Sequence, residues 1–168
     1  MKRKELFWVS FTAIGVVLVF LATLIHIPLP SFRLYFNLGE TTIYVIAIIF
    51  GRFTGMIAGA IGSALADIQL GYSVWAPFSL VIKGVEGYLV GTFAARGKDW
   101  EKRAVGRGAA FMVLGYSLAA WLLFGWPALL WELPLDLIQC GVGIVLALLV
   151  VRYLRSRFSW VNRMKELG

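Results

Sequence analysis

The sequence predicts an all-α integral membrane protein with six transmembrane helices and cytoplasmic N- and C-termini, and three observations carry this prediction. First, 60% of the 168 residues are hydrophobic and only 15% are charged, which is too little polar material to cover a soluble domain of this size. Second, the chain divides into apolar stretches about as long as a bilayer is thick. Third, the basic residues concentrate in alternate connections. We therefore expect a multi-pass protein of the cell membrane, with residues 1–168 forming a single transmembrane domain.

The apolar stretches give the helices in chain order, since roughly 20 apolar residues cross a bilayer as a helix. We place the spans near residues 6–27, 36–52, 54–70, 75–95, 107–124 and 130–153. The first has the basic start of a signal peptide but lacks a small-x-small cleavage site before its prolines, so we expect it to be retained. The second and third spans are short, and a re-entrant pair is the alternative to two full crossings.

The basic residues set the orientation, because Lys and Arg collect on the cytoplasmic side of a membrane. With the N-terminus inside, 14 of the 16 basic residues are cytoplasmic; Arg33 lies outside and Lys83 lies within a span. The opposite orientation reverses this count. The net charge of +7 is thus interpreted as a topological signal that also contacts anionic membrane lipid, and not as a nucleic-acid site.

The fourth and sixth spans each carry polar residues at a spacing of four and then three, which places them on one helix face. These residues are Ser79, Lys83 and Glu86 on the fourth span and Glu132, Asp136 and Gln139 on the sixth. A charge that faces lipid costs at least about 2.5–3.5 kcal/mol. The two stripes are therefore expected to face each other or a water-filled cavity.

Further polar and aromatic residues fall in the same outer halves of the spans. They are Asn37, Glu40, Asp67, Tyr72, Trp75 and Trp131. Together with the two stripes they predict a substrate-binding pocket that opens outward and is closed towards the cytoplasm by apolar packing. Two structural interpretations remain open. Lys83 and Glu86 only neutralise each other, or pair with Asp136, to hold helices together, and the aromatic residues belong to the interfacial belt.

Several function classes are not favoured. The sequence has no Gly-x-x-x-x-Gly-Lys-Ser/Thr loop, so no ATPase is expected in the chain. It also lacks a Cys-x-x-Cys motif or a His/Cys cluster, and neither a metal nor another cofactor is predicted. Small residues four apart in "GMIAGAIGSALAD" indicate close helix packing instead. No nucleophile and base are evident, so the protein is not predicted to be an enzyme.

The order of motifs over residues 36–91 resembles the substrate-binding S components of energy-coupling factor (ECF) vitamin transporters. The matching features are "NLGE", the "FGRFTG" turn, "GSALAD" followed by "GY", and "APFSLVIKGVEG". Within these proteins the chain is most similar to the group of hydroxymethylpyrimidine, pyridoxine and riboflavin types.

The resemblance implies a membrane receptor that binds a vitamin or its precursor from outside. It also implies partners, namely a transmembrane coupling subunit with two cytoplasmic ATPases on which the receptor docks and topples. The family usually offers an Ala-x-x-x-Ala patch on the first helix for docking. Here "WVSFTAIGVV" has no strict Ala-x-x-x-Ala, and the docking candidates are Ser10, Thr12, Ala13 and Gly15.

The charge of the predicted pocket then ranks the ligands. One lysine among five carboxylates suits a flat, nitrogen-rich heterocycle, so hydroxymethylpyrimidine or a B6 vitamer leads and riboflavin or thiamine follows. The alternative function is a stand-alone proton-coupled secondary transporter of a small cationic or neutral solute, with Asp67 or Glu86 as the proton-coupled site.

Overall fold

The computed structural model describes residues 3–28 and 35–163. Within these ranges the chain forms six helices of twelve or more residues. They are α1 (Arg3–Leu24), α2 (Gly39–Phe50), α3 (Arg52–Gln69), α4 (Ala76–Ala94), α5 (Glu101–Phe124) and α6 (Trp126–Arg157). A 3₁₀ turn (Lys98–Trp100) precedes α5, and a short α7 (Ser159–Arg163) follows α6. The predicted all-α class is confirmed.

The helices coincide closely with the predicted spans, but they differ in length. Three segments are long and apolar enough to cross a membrane: Glu5–Leu24, Lys98–Phe124 and Trp126–Arg157. The twelve residues of α2 extend only about 18 Å at 1.5 Å per residue, which is less than the roughly 30 Å of a hydrocarbon core. Six full crossings therefore stay a prediction.

A small antiparallel hairpin joins α1 to α2, where the sequence predicted only a connection. Its strands are β1 (His26–Pro28) and β2 (Tyr35–Asn37), with His26 opposite Asn37. The segment between the strands, which includes Arg33, lies outside the described residues, as do Lys2 and Lys165. We call this side of the helix bundle the hairpin end. The opposite side, where α1 begins and α6 ends, is the terminal end.

Glycines allow α3 and α4 to pack with their backbones in close contact. A Cβ atom on Gly87 would lie 2.3 Å from the backbone oxygen of Gly55, and one on Gly59 would lie 2.6 Å from that of Lys83. No larger residue fits these positions without moving a helix. The packing predicted from the small residues is thus confirmed, and it fixes Lys83 in the interior of the bundle.

A partly buried ion pair joins α5 and α6 at the terminal end. The two guanidinium nitrogens of Arg155 lie 2.8 and 2.7 Å from the two carboxylate oxygens of Glu101. This bidentate geometry is the strongest form of such a contact. In the sequence, Arg155 counts only as a topological charge, and its contact with Glu101 was not predicted.

Candidate functional site

A cavity lies at the hairpin end of the bundle, among residues of all six long helices and β2. It encloses about 490 Å³ of empty space, including its open mouth. The lining residues are Thr23, Asn37, Gly39, Ser63, Asp67, Trp75, Ser79, Lys83, Met112, Tyr116, Glu132, Asp136 and Gln139. Toward the terminal end, the interior is filled by buried apolar side chains such as Ile43, Val90, Val105 and Ala147.

The cavity brings together most of the residues that the sequence analysis placed in a pocket. Eight of the twelve line it, namely Asn37, Asp67, Trp75, Ser79, Lys83, Glu132, Asp136 and Gln139. Glu40 and Glu86 are buried and contact Lys83 without lining the cavity. Tyr72 and Trp131 do not line it either, and Trp131 is 53% exposed. The exposure of Trp131 fits the alternative interpretation, in which it is an aromatic residue of the membrane interface.

Lys83 is the charged centre of a buried network. Its ammonium group contacts the carboxylate of Glu40 and lies 3.5 Å from Oε2 of Glu86. The hydroxyl of Tyr44 donates a hydrogen bond to Oε1 of Glu86 at 2.7 Å. All four side chains are buried. One cation thus compensates two carboxylates. This geometry fits a structural role for Lys83 and Glu86. It adds Glu40 as a third member of the network, which was not predicted as a partner of Lys83.

Hydrogen bonds from Gln139 connect this network to the start of α2. The backbone N–H of Asn37 donates to Oε1 of Gln139 at 3.0 Å, while Nε2 of Gln139 donates to Oε1 of Glu40 at 3.2 Å. The side-chain oxygen of Asn37 accepts from the N–H of Gly39 at 2.7 Å, which satisfies one of the unpaired donors at the helix start. The polar stripe of α6 is thereby joined to α2.

Aromatic side chains form one wall of the cavity. The ring of Trp75 lies 5.8 Å from that of Tyr116, centroid to centroid, and the Tyr116 hydroxyl lies 2.6 Å from Oγ of Ser79. The Lys83 ammonium is 5.1 Å from the Tyr116 ring centroid, within the range of a cation–π contact. Neither Tyr116 nor Met112 of α5 was predicted as a site residue.

Some polar atoms of the cavity-lining residues on α6 and at the start of α4 are buried and unpaired. Oε2 of Glu132, Oδ2 of Asp136 and Nε1 of Trp75 are buried and have no hydrogen-bond partner within the described residues. Buried polar groups are nearly always hydrogen-bonded, so these atoms offer two acceptors and one donor to a bound molecule. Three acidic residues, Asp67, Glu132 and Asp136, and one lysine line the cavity, so acidic groups are in excess there by formal charge.

One cluster has the spacing of a metal site. Carboxylate oxygens of Glu40 and Glu86 and the sulfur of Cys140 all lie within 4.8 Å of one another. The Lys83 ammonium contacts both carboxylates and so already supplies the positive charge that a metal would bring. We therefore assign this cluster to the ion-pair network.

The four docking candidates on α1 divide between two faces. Ser10 and Ala13 are exposed. Thr12 and Gly15 are buried: Oγ1 of Thr12 lies 3.4 Å from that of Thr54, and a Cβ on Gly15 would lie 3.2 Å from that of Ala58. The side of α1 that carries Thr12 and Gly15 packs against α3, so Ser10 and Ala13 are the two candidates that the free chain exposes, and a docking role for any of the four stays a prediction.

Comparisons with known proteins agree with this architecture. The family model described as "ECF-type riboflavin transporter, S component" matches residues 6–156. A "thiamine precursor transporter HmpT" from Lactococcus lactis subsp. cremoris is 30% identical over 149 residues, which is 88% of this chain and 87% of that protein. An uncharacterized protein from Pyrococcus woesei is 40% identical over 125 residues, covering 73% of this chain and 84% of the relative.

A solved structure shares the fold. The structure of ThiT from Listeria monocytogenes superposes with a TM-score of 0.75 and covers 95% of this chain and 98% of its own. The two sequences are only 17% identical, so this likeness concerns the fold alone.

Proposed function

The chain belongs to the S components of ECF-type transporters and is not an enzyme, and we propose that it captures a vitamin or vitamin precursor in the cavity at its hairpin end. Hydroxymethylpyrimidine or a B6 vitamer is the favoured ligand, followed by riboflavin or thiamine. Uptake is driven by ATP that partner subunits hydrolyse. The single observation that carries the choice of ligand is the negative cavity with its unpaired carboxylate oxygens beside Trp75.

The unpaired atoms favour a small ring with amino donors. An aminopyrimidine donates hydrogen bonds from its amino group to carboxylates such as Glu132 and Asp136. Its ring nitrogen or hydroxyl oxygen accepts from Nε1 of Trp75. The rings of Trp75 and Tyr116, which are tilted by 50° to each other, offer apolar contacts to a flat ring. The charge of Lys83 is already compensated, so this lysine does not need a negatively charged ligand as a partner. An anionic ligand therefore fits this cavity poorly.

The relatives support a vitamin-type ligand but name different ones. The matching family model is described for riboflavin, while the relative from L. lactis is named for a thiamine precursor. Hydroxymethylpyrimidine is the pyrimidine half of thiamine, so the latter name agrees with the ranking from charge.

We further propose that the cavity opens to the outside of the cell membrane. The basic ends of α4, α5 and α6 lie at the terminal end, which the positive-inside rule assigns to the cytoplasm together with both termini. The six long helices then form one transmembrane domain over residues 1–168. The exposed face of α1 with Ser10 and Ala13 is the proposed docking surface for a transmembrane coupling subunit that carries two cytoplasmic ATPases.

A binding panel tests the ligand assignment. Purified protein, stripped of any co-purified molecule by partial unfolding and refolding or by exhaustive dialysis, is titrated with hydroxymethylpyrimidine, pyridoxine, thiamine and riboflavin. We expect the pyrimidine or pyridoxine to bind most tightly with one molecule per chain. Tighter binding of riboflavin would contradict the ranking while leaving the S-component function intact.

A transport assay tests the function itself. In reconstituted vesicles, the protein alone should bind the ligand without accumulating it, and accumulation should require the coupling subunit, the ATPases and ATP. Concentrative uptake that follows a proton gradient without these partners would identify a secondary transporter instead.

A further inference from the structure

Three arginines converge on one tryptophan at the terminal end, between α4 and α5. The guanidinium carbons of Arg96, Arg103 and Arg107 lie 4.9, 5.2 and 5.5 Å from the ring centroid of Trp100. Those of Arg96 and Arg107 also lie 5.1 and 4.5 Å from the ring of Phe93. All five distances fall within the range of cation–π contacts, so the two rings hold the three side chains in one cluster. We call these three residues the arginine cluster.

No arginine of the arginine cluster forms an ion pair with a carboxylate in the part of the chain that the structure describes. The ion pairs formed there belong to Lys83 and to Arg155. Arg96, Arg103 and Arg107 are all exposed, and three like charges around one ring repel one another. The cluster therefore favours an anion with several acceptor oxygens, and guanidinium groups match the geometry of a phosphate.

The face of α5 that carries the cluster continues into an apolar surface. Arg103, Arg107, Leu114 and Leu118 follow one another at spacings of four, seven and four, and so share a helix face. Leu114 is 70% and Leu118 is 55% exposed, and Lys98–Phe124 is a candidate membrane span. If α5 crosses the membrane as its length and composition indicate, we expect this face to contact lipid acyl chains just beyond the level of its arginines.

We propose that the arginine cluster binds the phosphate of an anionic phospholipid, whose acyl chains lie along Leu114 and Leu118. A lipid is the occupant that meets both halves of the surface, because it joins an anionic phosphate to a long apolar chain. The distance from the arginine cluster to the two leucines also fits a phospholipid, since the seven residues from Arg107 to Leu114 rise about 10 Å along the helix. This site lies at the opposite end of the bundle from the cavity and does not depend on the vitamin.

Native mass spectrometry with defined lipids tests the proposal. Detergent-purified protein is titrated with phosphatidylglycerol, and in separate series with zwitterionic phosphatidylcholine and with inorganic phosphate. The test variants are Arg103→Gln/Arg107→Gln, which removes two charges, and Trp100→Leu, which removes the ring on which all three arginines lie. The matched control is Arg152→Gln/Arg157→Gln, which removes two exposed charges from the end of α6 at the same end of the molecule.

We expect wild-type protein to retain phosphatidylglycerol in preference to phosphatidylcholine. Each arginine near an anionic headgroup contributes roughly a fivefold change in affinity, so the double variant should bind phosphatidylglycerol about 25-fold more weakly. Trp100→Leu should weaken it in the same direction, and the control should change it by no more than about twofold.

Three results would overturn the proposal. Equal losses in the test and control variants would indicate attraction by net charge alone. Displacement of the lipid by millimolar inorganic phosphate, without any contribution of the acyl chains, would indicate an ion site. Unchanged lipid binding with loss of co-purification with the coupling subunit would make the arginine cluster a protein-docking surface.

Discussion

Neutralising Lys83 tests whether the buried network is primarily structural. In Lys83→Met, the carboxylates of Glu40 and Glu86 lose their cation while they remain 1% and 0% exposed. Removing one partner of a buried ion pair costs about 3–5 kcal/mol because the remaining charge is stranded. We therefore expect the apo protein to unfold at a temperature lower by roughly 6 °C or more, at about 2–4 °C per kcal/mol for a chain of this size.

The matched variant removes all three charges together. In Lys83→Met/Glu40→Gln/Glu86→Gln, the new amide oxygens can still accept the hydrogen bonds that Gln139 and Tyr44 donate to the carboxylates. Replacing a whole buried ion pair by neutral groups is often close to neutral for stability. The triple variant should therefore recover more than half of the loss.

The assay is thermal unfolding of the detergent-purified apo protein, followed by intrinsic fluorescence at one fixed heating rate. The reasoning would be refuted by a triple variant that is no more stable than Lys83→Met. It would equally be refuted if Lys83→Met unfolded at the wild-type temperature, since the two carboxylates would then not need their cation.

Three further predictions address packing, the terminal end and topology. Gly87→Ala should lower the unfolding temperature, because its Cβ would lie 2.3 Å from a backbone oxygen of α3. The control Gly106→Ala, whose Cβ would have no atom within 4 Å, should be neutral or stabilising by up to about 1 kcal/mol. Equal effects of the two substitutions would contradict the close packing of α3 and α4. Glu101→Gln should destabilise the protein by about 1–3 kcal/mol, because it weakens the contact with Arg155 of α6. Equal destabilisation by Asp99→Asn, a control at an exposed site, would contradict a stabilising role for this contact. Reporters fused after Lys98 and at the C-terminus should be cytoplasmic, and an external signal at either position would contradict six crossings.

The helices were predictable from sequence because apolar length and turn glycines fix them locally. Gly51 and Gly125 have φ values of 91° and 80°, a conformation that favours glycine, and each separates two helices. The hairpin was missed since two strands of three residues are too short to show an alternating pattern. The length of α2 was overestimated because the apolar run begins in β2.

The convergence of α4 and α6 was predictable from helical phase. Lys83 and Asp136 lie in polar stripes that are each long enough to define one face of a helix. Because a charge in lipid is costly, these faces are expected to point into the bundle. The depth of each residue was not predictable. Glu86 lies behind the cavity wall and not on it, because one helical turn separates it from Lys83 and Tyr44 occupies the space beside it.

Contributions from apolar helices could not be predicted. Tyr116 and Met112 lie on α5, whose sequence has no polar stripe, so nothing in their local pattern separates a cavity residue from a core residue. The contact between Glu101 and Arg155 joins residues 54 positions apart, and charge counting treats both as surface groups. Such pairings are determined by helix packing and not by spacing along the chain.

Whether the cavity binds a vitamin through its unpaired carboxyl groups is tested by calorimetry of the purified wild-type and Asp136→Asn proteins with the vitamin that binds most tightly. If the unpaired carboxylates bind the ligand, the loss of a charge-assisted hydrogen bond worth roughly 1.5–3 kcal/mol should weaken binding about tenfold to a hundredfold. The unfolding temperature of the apo variant should be unchanged or higher, because the substitution removes a buried ionisable group that has an unpaired oxygen and leaves a neutral amide of the same shape. Unchanged affinity in Asp136→Asn, or no binding of any vitamin by the wild type, would contradict the account.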